Sequence, residues 1–383
     1  MDRRSFLLVG GGAVASAGLL ASRLFDDRSR EGLSAPPTSA PPTSSSTTTQ
    51  RTAADYGELQ PPDQHGVQLA PGFSARVVAS TGEIVAGTSY PWHASPDGGA
   101  CFGDSGGGWA YVSNSETVLG GAGALRFDGK GEVVDAYRIL SGTVANCAGG
   151  ATPWGTWLSC EEHDGGQVWE CDPFGLTDAV ARPGMGRFRH EAAACDPDAE
   201  VVYLTEDAPT GKLRRFRPER WGELASGVLE AAVVDGSAVS WTPSIDAGTP
   251  FNGGEGAWYG DGRLWLTTKG DNRVWELDVR STPNTIRVLY DADTAPHPYL
   301  TGVDNIVGTP SGDLYVAEDG GNMELVRISR DGAVSPFLRV LGQPESEITG
   351  PAFSPDGGRL YFSSQRGASG SGVTYEVRGP FAS

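Results

Sequence analysis

The sequence predicts an all-β protein organised as a six-bladed β-propeller that is closed by an N-terminal strand. The 383 residues include 55 glycines and 26 prolines, spread along the chain as tight turns between short strands require. Six glycine-rich turns are each followed by a strand with a central aromatic residue, at the near-regular spacing that is typical of propeller blades. The six aromatic residues are Tyr111, Trp157, Tyr203, Trp265, Tyr315 and Tyr361.

Residues 1–33 predict a twin-arginine export signal, and residues 34–65 predict a linker rich in proline, serine and threonine. Arg3 and Arg4 precede a short apolar run that glycine dilutes, which is typical of an export signal. The chain is therefore expected to use the twin-arginine export machinery and to lie in the periplasm or outside the cell, either released or tethered by an uncleaved N-terminal segment. An ordinary export signal with a chance arginine pair is the alternative. Residues 66–383 are expected to form the propeller.

The ring of blades is expected to close through residues 73–80, which alternate apolar and polar side chains as a half-buried strand does. The last repeat supplies strands near residues 351–354, 359–363 and 373–377, and too few residues follow them for an outer strand. We therefore expect residues 73–80 to pair with this last repeat, because that pairing removes an exposed sheet edge.

Five cysteines in an exported chain predict one metal-ligating thiol and up to two disulfides. Cys160 and Cys171 flank a turn centred on residues 164–166. That centre would put them opposite each other in a hairpin and within disulfide reach. Cys101 and Cys195 are the pair that remains.

The repeat also predicts which loops share one face of the molecule. In each blade the innermost strand should begin on the face where the second, aromatic strand ends, so residues at both positions should line one mouth of the channel. Those at the starts of the innermost strands include Asn146, Cys147, His190, Glu191, Glu255, Asp304, Asn305, Glu347 and Thr349. Those after the second strands include Asn114, Glu116, Glu161, Glu162, Glu206, Asp207, Lys269, Glu318, Asp319, Gln365 and Arg366.

This mouth is expected to hold metal ions, because closely packed carboxylates raise one another's pKa values and destabilise a fold unless cations compensate. A solvated acidic rim is the alternative. The whole chain carries 29 Lys+Arg against 48 Asp+Glu, a net charge of −19, which argues against nucleic-acid binding. The sequence indicates no stable protein partner.

The segment NCAGGATPWGTWLSCEE at residues 146–162 strongly resembles the signature of the PhoX-type alkaline phosphatases. Four later segments follow in that family's order: GRFRHEAAACDPD, FNGGEGAWYGDGRLWL, GVDNIVGTPSGDLYVAEDGG and EITGPAFSPDGGRLYFSS. The resemblance covers about residues 67–375. It implies a six-bladed propeller, twin-arginine export, hydrolysis of small phosphate-ester substrates, and a cofactor of ferric iron and calcium ions.

The resemblance also implies metal ligands. Cys147 corresponds to the iron thiolate. Glu162 or its neighbour Glu161, together with Glu191 and Glu255, corresponds to carboxylates of an iron–calcium cluster. Ligand chemistry agrees, because a thiolate suits a transition metal and oxygen-only sites suit calcium. The remaining candidate ligands at the mouth are Asp207, Asp304 and Glu318.

One departure from the family concerns substrate binding. The family has Arg-Pro-Glu-Gly where this chain has GGEG at residues 253–256, so the arginine expected to hold the substrate phosphate is missing. Lys269 and Arg366 fall at the same mouth and are the candidate catalytic cations that replace it. Two other functions stay open: a non-catalytic propeller that binds metal, ligand or protein, and a calcium-dependent hydrolase of the lactonase type.

Overall fold

The computed structural model describes residues 56–381, and these residues form an all-β, propeller-like fold. The predicted signal segment and residues 34–55 of the predicted linker lie outside the described residues. Helical structure in the described part is confined to three 3-10 turns, Pro183–Met185, Ile245–Ala247 and Lys269–Asp271. No helix in this part is long and apolar enough to cross a membrane.

The strands are short and follow one another through tight turns. The first thirteen are β1 (Val67–Leu69), β2 (Ser74–Ser80), β3 (Pro96–Gly103), β4 (Trp109–Ser115), β5 (Ala122–Phe127), β6 (Val133–Leu140), β7 (Asn146–Ala151), β8 (Trp157–Glu161), β9 (Val168–Cys171), β10 (Val180–Ala181), β11 (His190–Asp196), β12 (Val201–Glu206) and β13 (Arg214–Arg220). The others are β14 (Glu223–Asp235), β15 (Ala238–Thr242), β16 (Gly254–Gly260), β17 (Arg263–Thr268), β18 (Arg273–Asp278), β19 (Asn284–Asp291), β20 (Val303–Gly308), β21 (Leu314–Glu318), β22 (Glu324–Ile328), β23 (Val334–Val340), β24 (Ile348–Phe353), β25 (Arg359–Ser364) and β26 (Val373–Arg378).

These strands form five sheets in which neighbours run antiparallel. Four sheets have the orders β3-β4-β5-β6, β7-β8-β9-β10, β20-β21-β22-β23-β1 and β24-β25-β26-β2. The fifth has nine strands and contains two meanders, β11 to β14 and β16 to β19. Strand β15 joins these meanders because it pairs with both β14 and β19. The count of separate sheets is therefore five, one fewer than the six units that the repeat predicts.

The inner strands position the channel. The first strand of each sheet or meander contacts the first strand of the next, in the closed cycle β3, β7, β11, β16, β20, β24 and back to β3. The aromatic residue that marks each repeat is buried in the adjacent second strand. Tyr111 of β4 and Tyr361 of β25 stack across neighbouring sheets with ring centroids 4.9 Å apart. The repeated aromatic residues therefore fill the space between sheets, as large apolar side chains do in a core.

The predicted pairing of residues 73–80 with the last repeat is confirmed. Strand β2 pairs with β26 from Ser74↔Arg378 to Ser80↔Val373, so it is the outer strand of that sheet. Strand β1 likewise edges the preceding sheet by pairing with β23. Tyr56, within the segment predicted as a linker, packs its ring against Phe73 and Phe337 at centroid distances of 4.9 and 5.7 Å.

The predicted disulfide between Cys160 and Cys171 is wrong. In the β8–β9 hairpin Cys160 is opposite Val168, and Cys171 is opposite Trp157, so the two cysteines are three positions out of register. The turn of this hairpin is centred on residue 164, earlier in the chain than Gly165 and Gly166 indicate. Among the described residues all five cysteines, including Cys101 and Cys195, are free thiols.

Candidate metal centre

The mouth of the channel is built from the same irregularity in every repeat. Each inner strand pairs with its second strand through a first residue pair, or through two pairs in β24, and the register then shifts ahead of the following pairs. The first pairs are Pro96↔Ser115, Asn146↔Glu161, His190↔Glu206, Gly254↔Thr268, Val303↔Glu318 and Ile348↔Ser364. A shift of this kind is a β-bulge, which turns side chains away from the regular alternation.

Two sets of residues at equivalent positions follow from this geometry. The inner-strand set comes one residue after the first pair and contains Asp97, Cys147, Glu191, Glu255, Asp304 and Thr349. The second-strand set comes directly after each second strand and contains Glu116, Glu162, Asp207, Lys269, Asp319 and Gln365. Eight of these twelve positions, all at one end of the channel, carry carboxylates, and one carries the Cys147 thiol.

Side chains from both sets, together with Glu347 directly before β24, meet in four groups, and the ligand atoms within each group lie within 4.8 Å of one another. The groups are Asp97–Glu116–Cys147, Cys147–Glu162–Glu191, Glu191–Glu255–Asp304 and Asp304–Asp319–Glu347. Because Cys147, Glu191 and Asp304 each belong to two groups, the groups form one continuous acidic cluster. This acidic cluster includes five of the predicted ligands: Cys147, Glu162, Glu191, Glu255 and Asp304.

Burial makes the negative charges of the acidic cluster unfavourable without cations. Burial, together with a smaller contribution from the carboxylate of Glu116, raises the pKa of Asp304 to about 7 and that of Glu162 to about 8. Burial also raises the pKa of the Cys147 thiol, with a further contribution from the charge of Asp97. Bound cations would reverse these shifts, because a metal ion favours the deprotonated form of each ligand.

Glu191 shows most directly that the residues fit a metal. Its side chain is 1% exposed, and neither carboxylate oxygen has a hydrogen-bond partner among the described residues. Burial raises the pKa of Glu191, and the charges of Glu255 and Glu162 raise it further. A buried carboxylate without partners is costly, whereas two free oxygens beside a thiol and other carboxylates are suitable metal ligands.

Polar side chains hold the bulges in place. Asn114 Nδ2 donates hydrogen bonds to the carbonyl oxygens of Cys147 (3.0 Å) and Ala148 (2.8 Å). Its Oδ1 accepts hydrogen bonds from Trp157 Nε1 (3.0 Å) and Ser159 Oγ (2.8 Å). Asn114 therefore links the second strand of one sheet to the inner strand of the next, at the residue that presents the thiol.

Small residues allow the inner strands to approach the channel axis. A Cβ at Gly98 would lie 2.4 Å from the Cα of Ala148, and a Cβ at Gly256 would lie 2.8 Å from the Cα of Asn305. Both close neighbours are backbone atoms, which cannot move aside without displacing a strand. Glycine next to a cluster residue is therefore required at these two positions.

Two cations lie in or beside the acidic cluster. Lys269 Nζ is 2.8 Å from Glu255 Oε1 and 3.3 Å from Asp319 Oδ2, and the Lys269 pKa is raised because these charges outweigh burial. Arg366 Nη1 is 2.9 Å from Glu347 Oε1, and its side chain is 46% exposed. Both predicted catalytic cations therefore reach the mouth.

Glu161 and Glu318, predicted as ligands, belong to none of the four groups. Glu161 accepts hydrogen bonds from the backbone N–H groups of Val144 (3.0 Å) and Gln167 (3.1 Å). Glu318 likewise accepts from Thr301 (2.8 Å) and Glu324 (3.1 Å). Each is the last residue of its second strand, so its side chain points into the hairpin and secures the turn.

Asp207 lies beside the cluster rather than in one of the four groups, and its side chain hydrogen-bonds with that of Glu162. Glu116, Asp319 and Glu347 were placed at the mouth by the repeat but not predicted as ligands. Asp97 was missed altogether. Its sequence signal is the run Asp-Gly-Gly-Ala at residues 97–100, in which three small residues follow the ligand as they do in Cys-Ala-Gly-Gly at residues 147–150.

A comparison with family models finds "Alkaline phosphatase PhoX", matched at residues 111–170, 163–260 and 259–367. The chain belongs to this PhoX family. Members of the family are metal-dependent phosphoric monoester hydrolases, which agrees with an acidic cluster that can hold metal. No curated protein matches the chain.

Solved structures give the same fold. A Pseudomonas fluorescens PhoX, in complex with vanadate as a transition-state analogue, superimposes with a TM-score of 0.70 at 15% identity, over 84% of this chain and 97% of that one. A Xanthomonas campestris gluconolactonase gives a TM-score of 0.54 at 14% identity, over 85% and 99%. A calcium-binding regucalcin of Agrobacterium tumefaciens gives 0.50 at 15% identity, over 81% and 96%. At these identities the likeness establishes the propeller-like fold alone.

Proposed function

We propose that this PhoX-family chain is an exported phosphomonoesterase whose iron and calcium ions are held by the acidic cluster. The observation that carries the proposal is the continuous cluster of a thiol and eight carboxylates at one mouth of the channel. Export through the twin-arginine machinery is supported by Arg3 and Arg4 and by the family, and the chain would act in the periplasm or outside the cell.

We also propose that the fold has six blades. The six inner strands contact one another in a closed cycle, and five of them supply a residue of the acidic cluster from the same position beside the register shift. The sixth strand, β24, follows directly after the cluster residue Glu347. The nine-stranded sheet counts as two blades, since its two meanders supply separate inner strands, β11 and β16.

The donor set divides into two kinds of site. Cys147 with Glu162 and Glu191 offers one thiolate and carboxylates, which suits ferric iron. Asp304, Asp319 and Glu347 offer only oxygen, which suits calcium. Bound metal ions would supply Lewis acidity toward a phosphate ester and positive charge for the transition state.

The chain's own cations would bind and orient the substrate phosphate. Gly253, where the family has arginine, has a φ of +66°, so a residue with a side chain would be strained there. The backbone N–H of Lys269 donates to the carbonyl of Gly253 (2.8 Å), which brings the lysine next to the missing arginine's position. Lys269 and the more exposed Arg366 would then contact phosphate oxygens, and the buried walls of the mouth would limit water.

Turnover of a chromogenic aryl phosphate ester tests this function. We expect turnover by metal-replete protein, its loss on chelation, and iron and calcium in the purified protein. Cys147→Ala should lower turnover by about 100-fold or more and bleach the visible colour of a ferric thiolate, because it removes the soft ligand. The matched control is Cys195→Ala, a free thiol outside the cluster, which should keep metal and turnover.

Lys269→Met and Arg366→Met should lower kcat/KM, whereas Lys130→Met on the surface should not.

Two outcomes would favour the other functions. Bound metal without turnover of any ester would indicate a non-catalytic propeller. Hydrolysis of sugar lactones that survives Cys147→Ala would indicate a calcium-dependent lactonase, the kind of activity named for the Xanthomonas campestris protein of similar fold. Full metal content and full ester turnover in Cys147→Ala would contradict the proposed metal site.

A further inference from the structure

One turn at the mouth of the channel carries two large aliphatic side chains. After β4 the chain makes a four-residue turn in which the N–H of Gly120 donates to the carbonyl of Thr117 at 2.9 Å. The two central residues of this turn are Val118 and Leu119, which are 61% and 80% exposed. Central positions of turns usually hold glycine, proline, asparagine, aspartate or serine, so turn chemistry does not explain an apolar pair.

The equivalent turns of other repeats have the usual composition. A turn closed by the same type of hydrogen bond follows four other second strands, at residues 163–166, 208–211, 269–272 and 320–323. The central pairs of these turns are Asp164 with Gly165, Pro209 with Thr210, Gly270 with Asp271, and Gly321 with Asn322. Among these five turns of the described chain, the turn after β4 alone has large apolar side chains at its tip. The fold therefore accepts polar residues at this position, and the apolar pair needs another explanation.

The apolar pair adjoins the metal centre. Glu116 of the acidic cluster directly precedes the turn, and its Oε2 accepts a hydrogen bond from Gln365 Nε2 at 2.7 Å. Arg366 follows Gln365 in the chain, so this cation lies near the start of the same turn. Val118 is two residues from Glu116, which is at most about 7 Å along the chain.

A neighbouring segment fixes the turn and adds a third aliphatic side chain. The N–H of Ala145 donates to the Thr117 carbonyl at 2.7 Å. The Ala145 carbonyl accepts a hydrogen bond from the N–H of Glu162, a residue of the acidic cluster, at 2.8 Å. Val144 in this segment is 41% exposed. The apolar rim of the mouth consists of Val118, Leu119 and Val144.

We propose that the apolar rim binds the alcohol part of a phosphate ester and gives the enzyme a preference for apolar leaving groups, such as alkyl alcohols. The inference rests on the proposed function, in which Arg366 and Lys269 contact the phosphate oxygens. A phosphate held beside Arg366 has its ester group next to the rim. The apolar atoms of the leaving group then leave water against Val118 and Leu119, whereas a hydrophilic alcohol gains nothing from that contact.

Release of inorganic phosphate from hexyl phosphate and ethyl phosphate by the metal-loaded chain tests the proposal. Both esters lose an alcohol of similar basicity from the same type of bond, so they differ in apolar surface. We expect kcat/KM for hexyl phosphate to exceed that for ethyl phosphate by about tenfold or more, because methylene groups buried in the transition state favour it.

A double variant locates the preference at the rim. Val118→Thr combined with Leu119→Asn removes the apolar surface with little change in volume. It should lower kcat/KM for hexyl phosphate about tenfold and leave that for ethyl phosphate within about twofold. The matched control is Leu176→Asn, which should change neither value, because Leu176 is 83% exposed in the loop after β9, at the other end of the strands. Metal analysis and thermal melting check that each variant is loaded and folded.

Binding of hexylphosphonate and ethylphosphonate, which have no ester bond, separates this inference from the proposed function. Calorimetry should show about tenfold tighter binding of hexylphosphonate by wild-type protein and a loss of that preference in the double variant. This binding pattern without turnover of either ester would support the rim and contradict the phosphatase function alone. Equal kcat/KM for the two esters in wild-type protein, or a preference that the double variant retains, would overturn the inference.

Discussion

At the residue scale, neighbouring carboxylates at the ends of the second strands have different roles. Glu161 ends β8 and accepts two backbone hydrogen bonds, whereas Glu162 comes one residue later and faces the acidic cluster. Glu318 and Asp319 repeat this division in β21. The position relative to the strand end decides whether a carboxylate secures the hairpin or is available to a metal.

This division predicts opposite effects for two adjacent substitutions. Glu161→Ala should lower the free energy of unfolding by about 1–3 kcal/mol and keep metal bound, because it leaves two backbone N–H groups without their acceptor. Glu162→Ala should lower bound metal and ester turnover, and it should not lower the stability of chelated protein, because burial raises the Glu162 pKa to about 8. Denaturant unfolding with chelator and metal analysis without it measure both effects. The reverse pattern would mean that the strand ends one residue earlier than described.

The sequence could predict the ligand types better than their positions. Cys147, Glu191, Glu255 and Asp304 start inner strands, where the repeat fixes the face. The choice between Glu161 and Glu162 depends on the residue at which β8 ends. The glycine-rich turn after β8 does not define that residue in the sequence to within one position. Asp97 was missed because the strand that carries it, β3, precedes the first aromatic segment.

At the element scale, hairpin register limits sequence reasoning. The β8–β9 hairpin turns around residue 164, so Cys160 is opposite Val168 rather than Cys171. A shift in the turn by less than two residues was enough to remove the predicted disulfide, because register depends on turn geometry that the sequence specifies weakly. The pairing of β2 with β26 was predictable for a different reason, since residues 73–80 alternate apolar and polar side chains and lie before the first repeat.

The edge strands lead to a prediction about truncation. A chain that begins at residue 82 lacks β1 and β2, so two sheets lose their outer strands, and it should be insoluble or markedly less stable. The control is a chain that begins at residue 56, which keeps Tyr56 and both strands and should unfold in a single thermal transition near that of the longer chain. Solubility and thermal melting compare the two. Equal stability would show that the edge pairings contribute little.

At the scale of the whole molecule, the repeat was sufficient for the fold class but not for the number of separate sheets. The six aromatic segments fall in second strands that contact inner strands in a closed cycle. Strand β15 merges two meanders into one sheet, and it lies in the longest interval between aromatic residues, 203 to 265. An inserted strand has no counterpart in the other repeats, so periodicity could not reveal it.

The acidic cluster predicts that bound metal stabilises the entire ring, because its residues come from all six inner strands or the segments next to them. Chelation should lower the Tm of wild-type protein by about 10 °C or more, since ions that bind only the folded chain stabilise it and their removal leaves like charges buried together. Glu191→Gln should raise the Tm of chelated protein by about 2–4 °C for each kcal/mol gained, because it removes a buried charge that has no hydrogen-bond partner among the described residues. The same substitution should lower the Tm of metal-loaded protein, because a ligand is lost. Asp246→Asn, an equal charge change at an exposed residue, should alter neither value. An unchanged Tm after chelation of wild-type protein would contradict metal binding by the cluster.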